Sequence, residues 1–273
     1  MYDLAPHNPY TLSLATPLVA GAGSVGYGVE VARQLGLTSQ PPTHGLGALF
    51  TRTTTLRPIR TRPQIHETPA GLVVCDHQAN PGIRTVRERF APVWRNWNLP
   101  VIVSVAATHP PDLERLLTEL ETSDAVRGIE IALADSDAVT PHAAQHLVKA
   151  ARATTPLPLI ARLSGAMPTM LAVAEAVVAA GADCLALTDG LPAAVASATG
   201  YREGLLYGPA LHPIVLRQLT ALAAAVTVPI IAGGGVTSLA AARALLEAGA
   251  TAVSLDTVLL TDLRAPEQWG ACG

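Results

Sequence analysis

The stretch Pro229-Ile-Ile-Ala-Gly-Gly-Gly-Val-Thr-Ser238 holds a complete passage from a buried strand through a glycine turn to a helix start. The apolar run after Pro229 is typical of a strand in a parallel sheet that is covered on both faces. Three glycines end the run, and Ser238 belongs to the residue types that cap helices by accepting a backbone N–H bond. One such unit predicts a fold in which strands and helices alternate.

The same pattern recurs along the whole chain. Short apolar runs alternate with Ala- and Leu-rich segments of helical period, which indicates repeated βα units around a parallel sheet. Eight runs predict an α/β fold of the (β/α)8 TIM-barrel type, with an open doubly wound sheet as the alternative. The predicted strands are 17–21, 48–52, 101–106, 128–133, 157–163, 184–189, 229–233 and 251–255, and the predicted helices are 82–97, 110–123, 141–154, 168–180, 213–225 and 238–248.

The length of 273 residues fits one barrel, so we expect a single domain over residues 1–273. Only residues 256–273 follow the eighth predicted strand, and Pro266 and Gly270 lie among them. The last helix should therefore be shortened. The barrel wall that it leaves open is expected to be covered by a second copy of the chain, in a homo-oligomer, or by a partner subunit.

Composition and charge exclude several classes of function. A chain that is 49% hydrophobic and 14% charged is not disordered, and a net charge of −3 without a basic run gives no footprint for nucleic acid. No signal pattern and no uninterrupted apolar segment of membrane-spanning length is present, so we expect a cytoplasmic protein without a membrane contact. Three widely spaced cysteines predict neither a disulfide framework nor a metal site. Lys149 is the single lysine, which nearly excludes Schiff-base catalysis.

The glycine turn after the seventh predicted strand is a candidate phosphate site. Gly233, Gly234 and Gly235 allow close approach of backbone N–H groups, and the following helix start favours an anion. The eighth strand ends Leu255-Asp256-Thr257, and barrels often hold a phosphate jointly after strands seven and eight. The carboxylate of Asp256 would repel that phosphate unless it points away or bonds to backbone N–H groups.

A second polar patch follows the second predicted strand. Arg52 is flanked by threonines, including Thr53, and a guanidinium there could clamp an anion or an electron-rich ring. The connections after strands two and six, 53–83 and 190–213, are long. In a barrel both lie at the C-terminal face, where sites are built.

In order and spacing, the motifs of the chain resemble class 1 dihydroorotate dehydrogenases across nearly its whole length. They are Gly23-Ser-Val-Gly-Tyr-Gly28, the run 51–56, Glu67-Thr-Pro-Ala-Gly-Leu72, Asn80-Pro-Gly-Ile83, Gly204-Leu-Leu-Tyr-Gly-Pro-Ala-Leu-His-Pro213 with Leu216-Arg217, and 232–236. The resemblance implies a (β/α)8 barrel that holds FMN and oxidises dihydroorotate to orotate, an oxidation at a CH–CH bond.

Carried over position by position, the resemblance implies a set of flavin contacts. It puts Gly21, Ala22 and Gly23 beside the flavin ring, Gly208 near its chain, and Gly234, Gly235 and Thr257 around its phosphate. Two lysines of the family are replaced here, by Arg52 and Arg162, which keep the charge but present a larger planar group. Together with Thr53 beside Arg52, these residues form the expected cofactor site.

The residues that would contact dihydroorotate depart from the family pattern. The asparagines of the family correspond to Val74, Ala132, Asp137 and Asp189, which do not reproduce their pairing with the amide edges of a pyrimidine. Asp135 stands at the position of the cysteine that serves as the catalytic base in the family, and it could abstract a carbon-bound proton. The cluster Cys75-Asp76-His77 is a second candidate base.

These departures leave three hypotheses open. The first is an FMN-binding oxidoreductase that acts on a small molecule other than dihydroorotate, with Asp135, Arg52 and Arg162 as catalytic residues. The second is a catalytically inactive barrel that serves as a subunit or binding module. The third is a flavin-free barrel that binds a sugar phosphate through residues 233–235.

Overall fold

The chain folds into a closed barrel of eight parallel strands surrounded by helices. The computed structural model describes residues 2–39, 44–76, 78–121, 123–133, 139–166, 168–188, 190–198 and 200–270. The barrel strands, called first to eighth below, are Leu18–Ala20, Ala48–Phe50, Val101–Val105, Val126–Ala132, Leu159–Leu163, Cys184–Leu187, Ile230–Gly233 and Ala252–Leu255. Each of the eight predicted strands is a barrel strand, so the predicted TIM barrel is confirmed.

Pairing between the first and last strands distinguishes the barrel from the open sheet. Val253 pairs with Leu18 and Ser254 with Val19, both in parallel, while Ala20 pairs with Leu49 on the other side. The first strand therefore has a partner on each edge, and the ring closes. A closed ring has no exposed edge and buries every strand on both faces, which accounts for the apolar runs of the sequence.

Successive side chains along each strand point alternately into and out of the barrel, which divides the core into two layers. One set of side chains fills the barrel interior, and the other set packs outward against the helices. The interior set consists of Val19, Ala48, Phe50, Ile102, Ile160, Cys184, Ala186, Ile231 and Ala252. Cys184 is fully buried there, and burial raises the pKa of its thiol well above the ordinary value, so it packs as a small apolar side chain.

The helices follow the sequence prediction with two differences. The helices are Ala32–Leu35, Ile83–Thr85, Ala91–Trp94, Pro110–Leu120, Pro141–Thr154, Met170–Ala179, His212–Ala225, Leu239–Glu247, Thr257–Thr261 and Ala265–Trp269, with a π-helical turn at Val86–Phe90 and a 3-10 turn at Pro209–Leu211. The predicted helix 82–97 is thus interrupted by the π-helical turn. The short helix Ala32–Leu35 was not predicted. The predicted cap Ser238 accepts a hydrogen bond from the N–H of Ala241 at 3.2 Å.

The shortened last helix is confirmed. Thr257–Thr261 and Ala265–Trp269 contain only five residues each. Pro266 packs closely against Gly45, where a Cβ would lie 2.3 Å from the Pro266 carbonyl oxygen. Of the helices in the described ranges, none is long and apolar enough to cross a membrane.

A hairpin at the N-terminus closes the bottom of the barrel. The strands Tyr2–Asp3 and Ser13–Leu14 pair antiparallel, and Leu4 and Leu12 join the interior core cluster. Asn8 donates to the carbonyl of Pro156 at 3.2 Å, and Pro156 precedes the fifth strand. Polar and apolar residues are mixed in this segment, and it contains no continuous apolar run. The sequence patterns therefore did not predict the hairpin.

A four-stranded antiparallel sheet covers the opposite, C-terminal end of the barrel. Its strands, in spatial order, are Leu191–Ser197, Gly200–Tyr207, Gly71–Cys75 and Gln64–Thr68. We call it the cap sheet. It joins the two long connections after the second and sixth barrel strands, through pairs such as Leu205 with Val74 and Tyr207 with Leu72. The location of these connections at the C-terminal face was predicted, but their pairing into a sheet was not.

Candidate active site

A cavity of about 910 Å³ lies between the C-terminal ends of the barrel strands and the cap sheet. We call it the mouth cavity. Its size falls within the range of small-molecule and cofactor sites, roughly 300–1,000 Å³. The lining residues used below are Ala22, Gly23, Arg52, Thr53, Ile65, Leu72, Val74, Gln78, Asn80, Ala132, Leu133, Arg162, Asp256 and Thr257.

The loops after the first and second strands form a rigid floor. The N–H of Arg52 donates to the carbonyl of Gly26 at 2.8 Å, and the hydroxyls of Tyr27 and Thr54 are 3.0 Å apart. The ring of Tyr27 stacks on Phe90 with 4.5 Å between centroids. Burial raises the pKa of Tyr27 to about 12, so its hydroxyl is neutral and acts only as a hydrogen-bonding group.

Behind this floor, four side chains form a closed polar ring. Arg162 donates from Nη2 to the hydroxyl of Thr53 at 2.9 Å, and its Nε lies 3.2 Å from Oε1 of Glu130. Ser104 donates to the same Glu130 oxygen at 2.6 Å and lies 3.0 Å from the Thr53 hydroxyl. Glu130 and Arg162 are 1% and 6% exposed, so each buried charge is compensated by the other. The ring fixes a guanidinium at the cavity wall.

Arg52 lies at the same wall, and Asn80 holds the loop beside it. Arg52 is half-buried, and its Nη1 is 3.5 Å from the carbonyl oxygen of Ala79. Oδ1 of Asn80 accepts from the N–H groups of Thr55 at 3.2 Å and Gly82 at 3.0 Å, and its Nδ2 donates to the carbonyl of Gln78 at 3.0 Å. The amide of Asn80 is thus engaged in shaping the loop.

The wall on the side of the cap sheet is apolar. Leu72 and Val74 project from the cap sheet, and Ala132 and Leu133 come from the end of the fourth strand. Ile65 is 58% exposed although it lines the cavity. Large apolar side chains in an open cavity are typical of a site that binds an apolar group.

The glycine turn after the seventh strand packs against the protein itself. Gly234 and Gly235 have φ values of 123° and 69°, which side-chain-bearing residues rarely adopt. A Cβ on Gly235 would lie 2.7 Å from the backbone N of His212 and 2.8 Å from the carbonyl oxygen of Gly208. The turn, Gly208 and the start of the helix His212–Ala225 therefore form one compact backbone unit beside the cavity.

Asp256 turns its carboxylate inward over the barrel. A Cβ on Gly21 would lie 2.0 Å from Oδ1 of Asp256, and a Cβ on Gly233 would lie 3.3 Å from Oδ2. Ser254 donates to Oδ1 at 3.4 Å. The carboxylate thus occupies the space that the missing side chains of Gly21 and Gly233 leave open.

A sequence model of the family described as dihydroorotate dehydrogenase matches residues 7–268. The chain belongs to the dihydroorotate dehydrogenase family. It is 32% identical over 267 residues to the dihydroorotate dehydrogenase B (NAD(+)) catalytic subunit of Desulforudis audaxviator, covering 92% of this chain and 85% of that protein. It is 31% identical over 272 residues to the same subunit of Geotalea uraniireducens, covering 94% and 87%.

Solved structures agree with the dihydroorotate dehydrogenase fold. The crystal structure of a ligand-free DHODH from Eimeria tenella superposes with a TM-score of 0.76 at 15% identity, covering 97% of this chain and 84% of that one. Enzymes of this family depend on flavin, so the fit of FMN to the mouth cavity can be tested on its residues.

The part of the mouth cavity around Gly23 fits the planar ring system of a flavin. A Cβ on Gly23 would have the Cα of Arg52 as its nearest described neighbour, at 3.9 Å, apart from the adjacent residues in the chain. The floor is therefore open to a planar ring at that point. Arg52, Arg162 and Thr257 also line the cavity, and their N–H and O–H groups can donate to oxygens and ring nitrogens of FMN. The group that does not suit FMN is the carboxylate of Asp256.

The predicted site residues divide into two groups in this dihydroorotate dehydrogenase-like barrel. Ala22, Gly23, Arg52, Thr53, Arg162 and Thr257 line the mouth cavity together. Gly21, Gly208, Gly234 and Gly235 are buried beside it and do not line it. Asp135, Asp137, Asp189 and His77 lie outside the described residues.

Cys75, the first residue of the second candidate base cluster, is buried within the cap sheet. It is 1% exposed in the cap sheet, and a Cβ on Gly204 of the neighbouring strand would lie 3.0 Å from its sulfur. Asp76 is engaged by Nη2 of Arg202 at 2.9 Å. The side chain of Cys75 therefore packs between neighbouring strands of the cap sheet.

Sequence reasoning missed Glu130, Ser104 and Tyr27. Glu130 carried a usable signal, because a carboxylate inside the apolar run 128–133 must be paired when that run is a buried strand. Ser104 and Tyr27 carried none, since their roles depend on contacts between distant parts of the chain.

Proposed function

We propose that this chain is an FMN-binding oxidoreductase that oxidises a CH–CH bond in a small molecule other than dihydroorotate. The observation that carries the proposal is the division of the mouth cavity, which has the guanidinium groups of Arg52 and Arg162 and the hydroxyl of Thr53 at one wall and apolar side chains on the side of the cap sheet. The floor suits a flavin, and the apolar wall suits a substrate with an apolar body.

The proposed cofactor residues act through shape and charge. Ala22 and Gly23 keep the floor low enough for a planar ring, and Gly21, Gly208, Gly234 and Gly235 set the backbone around it. Arg52, Thr53, Arg162 and Thr257 offer donors to the oxygens and nitrogens of the cofactor. When bound, FMN supplies a hydride acceptor.

The guanidinium of Arg162 has closer contacts with the protein than that of Arg52. Its Nη2 donates to the hydroxyl of Thr53, and the carboxylate of Glu130 lies 3.2 Å from its Nε as an ion pair, so its position at the cavity wall is set before any ligand arrives. Preorganised donors lower the cost of stabilising negative charge in a transition state. We assign to Arg52 and Arg162 the stabilisation of such charge, and to Asp135 the removal of the carbon-bound proton.

The argument against dihydroorotate rests on hydrogen-bonding groups. Val74 and Ala132 hold positions where the family carries asparagines, and neither side chain can pair with an amide. Asn80, which does line the cavity, has its amide committed to Thr55, Gly82 and Gln78. A site built on such pairing loses about 10⁴-fold in discrimination when the pairing is removed.

We also propose that the barrel works with a partner, either a second copy or another subunit. The relatives from Desulforudis audaxviator and Geotalea uraniireducens are named catalytic subunits. Light scattering coupled to size-exclusion chromatography on the native protein would show a mass above that of one chain. A strictly monomeric species would contradict this part of the proposal.

Anaerobic mixing of the flavin-loaded protein with candidate substrates tests the substrate assignment. L-dihydroorotate and a panel of small acids with apolar rings or chains would be compared by the loss of flavin absorbance. We expect reduction by a member of the panel and at least about 10⁴-fold slower reduction by dihydroorotate. Rapid bleaching by dihydroorotate would overturn the assignment. An Asp135→Asn variant that bleaches at the wild-type rate would remove Asp135 as the base.

A further inference from the structure

Residues 78–80 form part of the boundary of the mouth cavity. Gln78 and Asn80 line it, and the carbonyl oxygen of Ala79 lies 3.5 Å from Nη1 of Arg52. The amide of Asn80 is held by the neighbouring loop, which fixes one end of this stretch. Whatever holds the other end therefore bears on the shape of the cavity beside Arg52.

Asp76 marks the other end, where the chain leaves the cap sheet. It directly follows the cap strand Gly71–Cys75, and its φ is 52°. Among the non-glycine residues that the structure describes, Asp76 alone has a positive φ. Aspartate is one of the few side-chain-bearing residues that adopt this left-handed conformation. Such a conformation persists only where surrounding contacts support it.

The guanidinium of Arg202 supplies this support from the neighbouring strand. Its Nη2 donates to Oδ2 of Asp76 at 2.9 Å, and its Nη1 donates to Oε1 of Gln64. Arg202 and Gln64 lie on the two strands that flank the one ending at Cys75. The hydroxyl of Thr61 adds a longer contact, 3.4 Å from the carbonyl oxygen of Asp76. One planar group thus joins three strands of the cap sheet at the point where the chain turns toward the cavity.

We propose that Arg202 is a positioning residue of the mouth cavity. By holding Asp76, it keeps residues 78–80 in place beside Arg52 and slows the release of a ligand bound there. The effect on release rests on the proposed flavin function, whereas the effect on residues 78–80 does not. The side chains of Arg202 and Asp76 are 38% and 37% exposed, so the contact is partly screened by solvent. Its loss therefore opens this end of the cap sheet and leaves the barrel folded.

Two native cysteines report such an opening. Cys75 is 1% exposed and directly precedes Asp76, whereas Cys184 is fully buried in the barrel interior. Local opening of the cap sheet uncovers Cys75 alone, and global unfolding uncovers both. Alkylation of the folded protein with N-ethylmaleimide, followed by mass spectrometry of the peptides, gives the two rates separately.

The variants are Arg202→Gln, Asp76→Asn, which keeps a residue suited to positive φ, and the two combined. Arg264→Gln is the matched control, because its ion pair with Glu267 is also exposed and lies outside the cap sheet. We expect each single variant to alkylate at Cys75 about threefold faster. The double variant should react no faster than either single one, because both changes remove the same contact.

Salt gives a second reading of the same contact. In about 1 M NaCl the rate of the wild type at Cys75 should approach that of Arg202→Gln, since an exposed ion pair is screened there. Unchanged alkylation of Cys75 in the variants would overturn the proposal. Equal rates at Cys75 and Cys184 in every form would also overturn it, because only global unfolding would then expose Cys75.

Release of FMN connects the contact with the cavity. The FMN-loaded proteins are diluted, and the recovery of flavin fluorescence gives the rate of release. We expect Arg202→Gln and Asp76→Asn to release FMN about threefold faster and Arg264→Gln to match the wild type. Faster alkylation with unchanged FMN release would overturn the role of Arg202 at the cavity. If no form binds FMN while Cys75 reacts faster in the variants, the flavin function fails and the positioning of residues 78–80 stands.

Discussion

The Nε atom of Arg162 lies 3.2 Å from Oε1 of Glu130, and both side chains are buried, with Arg162 at the wall of the mouth cavity. Glu130 comes from the fourth barrel strand and Arg162 from the fifth, where Ala132 and Arg162 are also register partners. Because the two strands are adjacent, the ion pair forms wherever the barrel forms. The pair gives the buried guanidinium of Arg162 a counter-charge at the site.

We expect Glu130→Gln to lower the free energy of unfolding by about 3 kcal/mol, because it leaves a buried guanidinium without its counter-charge. Adding Arg162→Gln should recover part of that loss, since the double variant buries no unpaired charge. Urea unfolding of both single variants and the double variant measures the coupling. Additive losses would show that the pair is not coupled. Asp124→Asn is the control, because its ion pair with Arg95 is exposed.

Gly21→Ala tests the position of the Asp256 carboxylate. The added methyl group would lie 2.0 Å from Oδ1 of Asp256 and 2.2 Å from the hydroxyl of Ser254. We expect a loss of about 2 kcal/mol in the free energy of unfolding from overpacking. Asp256→Ala in the same chain should restore part of it.

A smaller effect is expected for the control Gly128→Ala, where the nearest atom to the added methyl group is 3.3 Å away. Equal effects at the two glycines would mean that Asp256 does not fill the space beside Gly21.

The double variant Val74→Asn/Ala132→Asn tests the account of the substrate. It returns two amide groups to the cavity at the positions where the family carries asparagine. Two hydrogen bonds of about 1 kcal/mol each correspond to at least a tenfold gain in dihydroorotate binding. Displacement of a bound fluorescent ligand, or isothermal calorimetry, measures it. Val74→Leu keeps the wall apolar and should give no gain; a gain in that control would attribute the effect to shape rather than pairing.

His44 gives the fold a dependence on pH. Burial lowers the pKa of His44, and its Nδ1 accepts from the N–H of Leu46 at 3.0 Å, so the folded state holds the neutral ring. Above the ordinary pKa of about 6.5 this contribution is fully present. As pH falls below that value, the unfolded chain takes up a proton that the folded chain resists, and stability is lost.

His44 can change the free energy of unfolding by no more than about 1.4 kcal/mol per pH unit. Urea unfolding from pH 7.5 to 5 should show a shallower fall for His44→Asn, which keeps an acceptor near the N–H of Leu46. Parallel curves for the two proteins would show that His44 is not the group responsible.

The barrel was predictable from sequence because its signal is repetitive and local. Each strand is a short apolar run, and each run is marked by its own proline, glycine or cap residue, as at Pro229 and Ser238. The cap sheet was not predictable, because the pairing of Val74 with Leu205 joins segments that are distant in the chain. Its strands are bounded by loops rather than by the βα pattern.

The candidate site was predictable only where local chemistry marked it. Arg52, Thr53 and Arg162 stand at the C-terminal ends of strands, and their shared cavity follows from the barrel. The inward turn of Asp256 could not be read from sequence, since an aspartate after a strand can equally cap the next helix. Its direction depends on the absence of a side chain at Gly21, which follows the first barrel strand.

The central claim is that the mouth cavity holds a flavin, and the visible absorption spectrum of the purified protein, recorded with and without added FMN and after removal of unbound flavin, tests it most directly. The account predicts retained flavin bands at a stoichiometry near one flavin per chain, lost when both Arg52 and Arg162 are replaced by glutamine in a folded variant. A colourless protein that retains no flavin after saturation with FMN would contradict it.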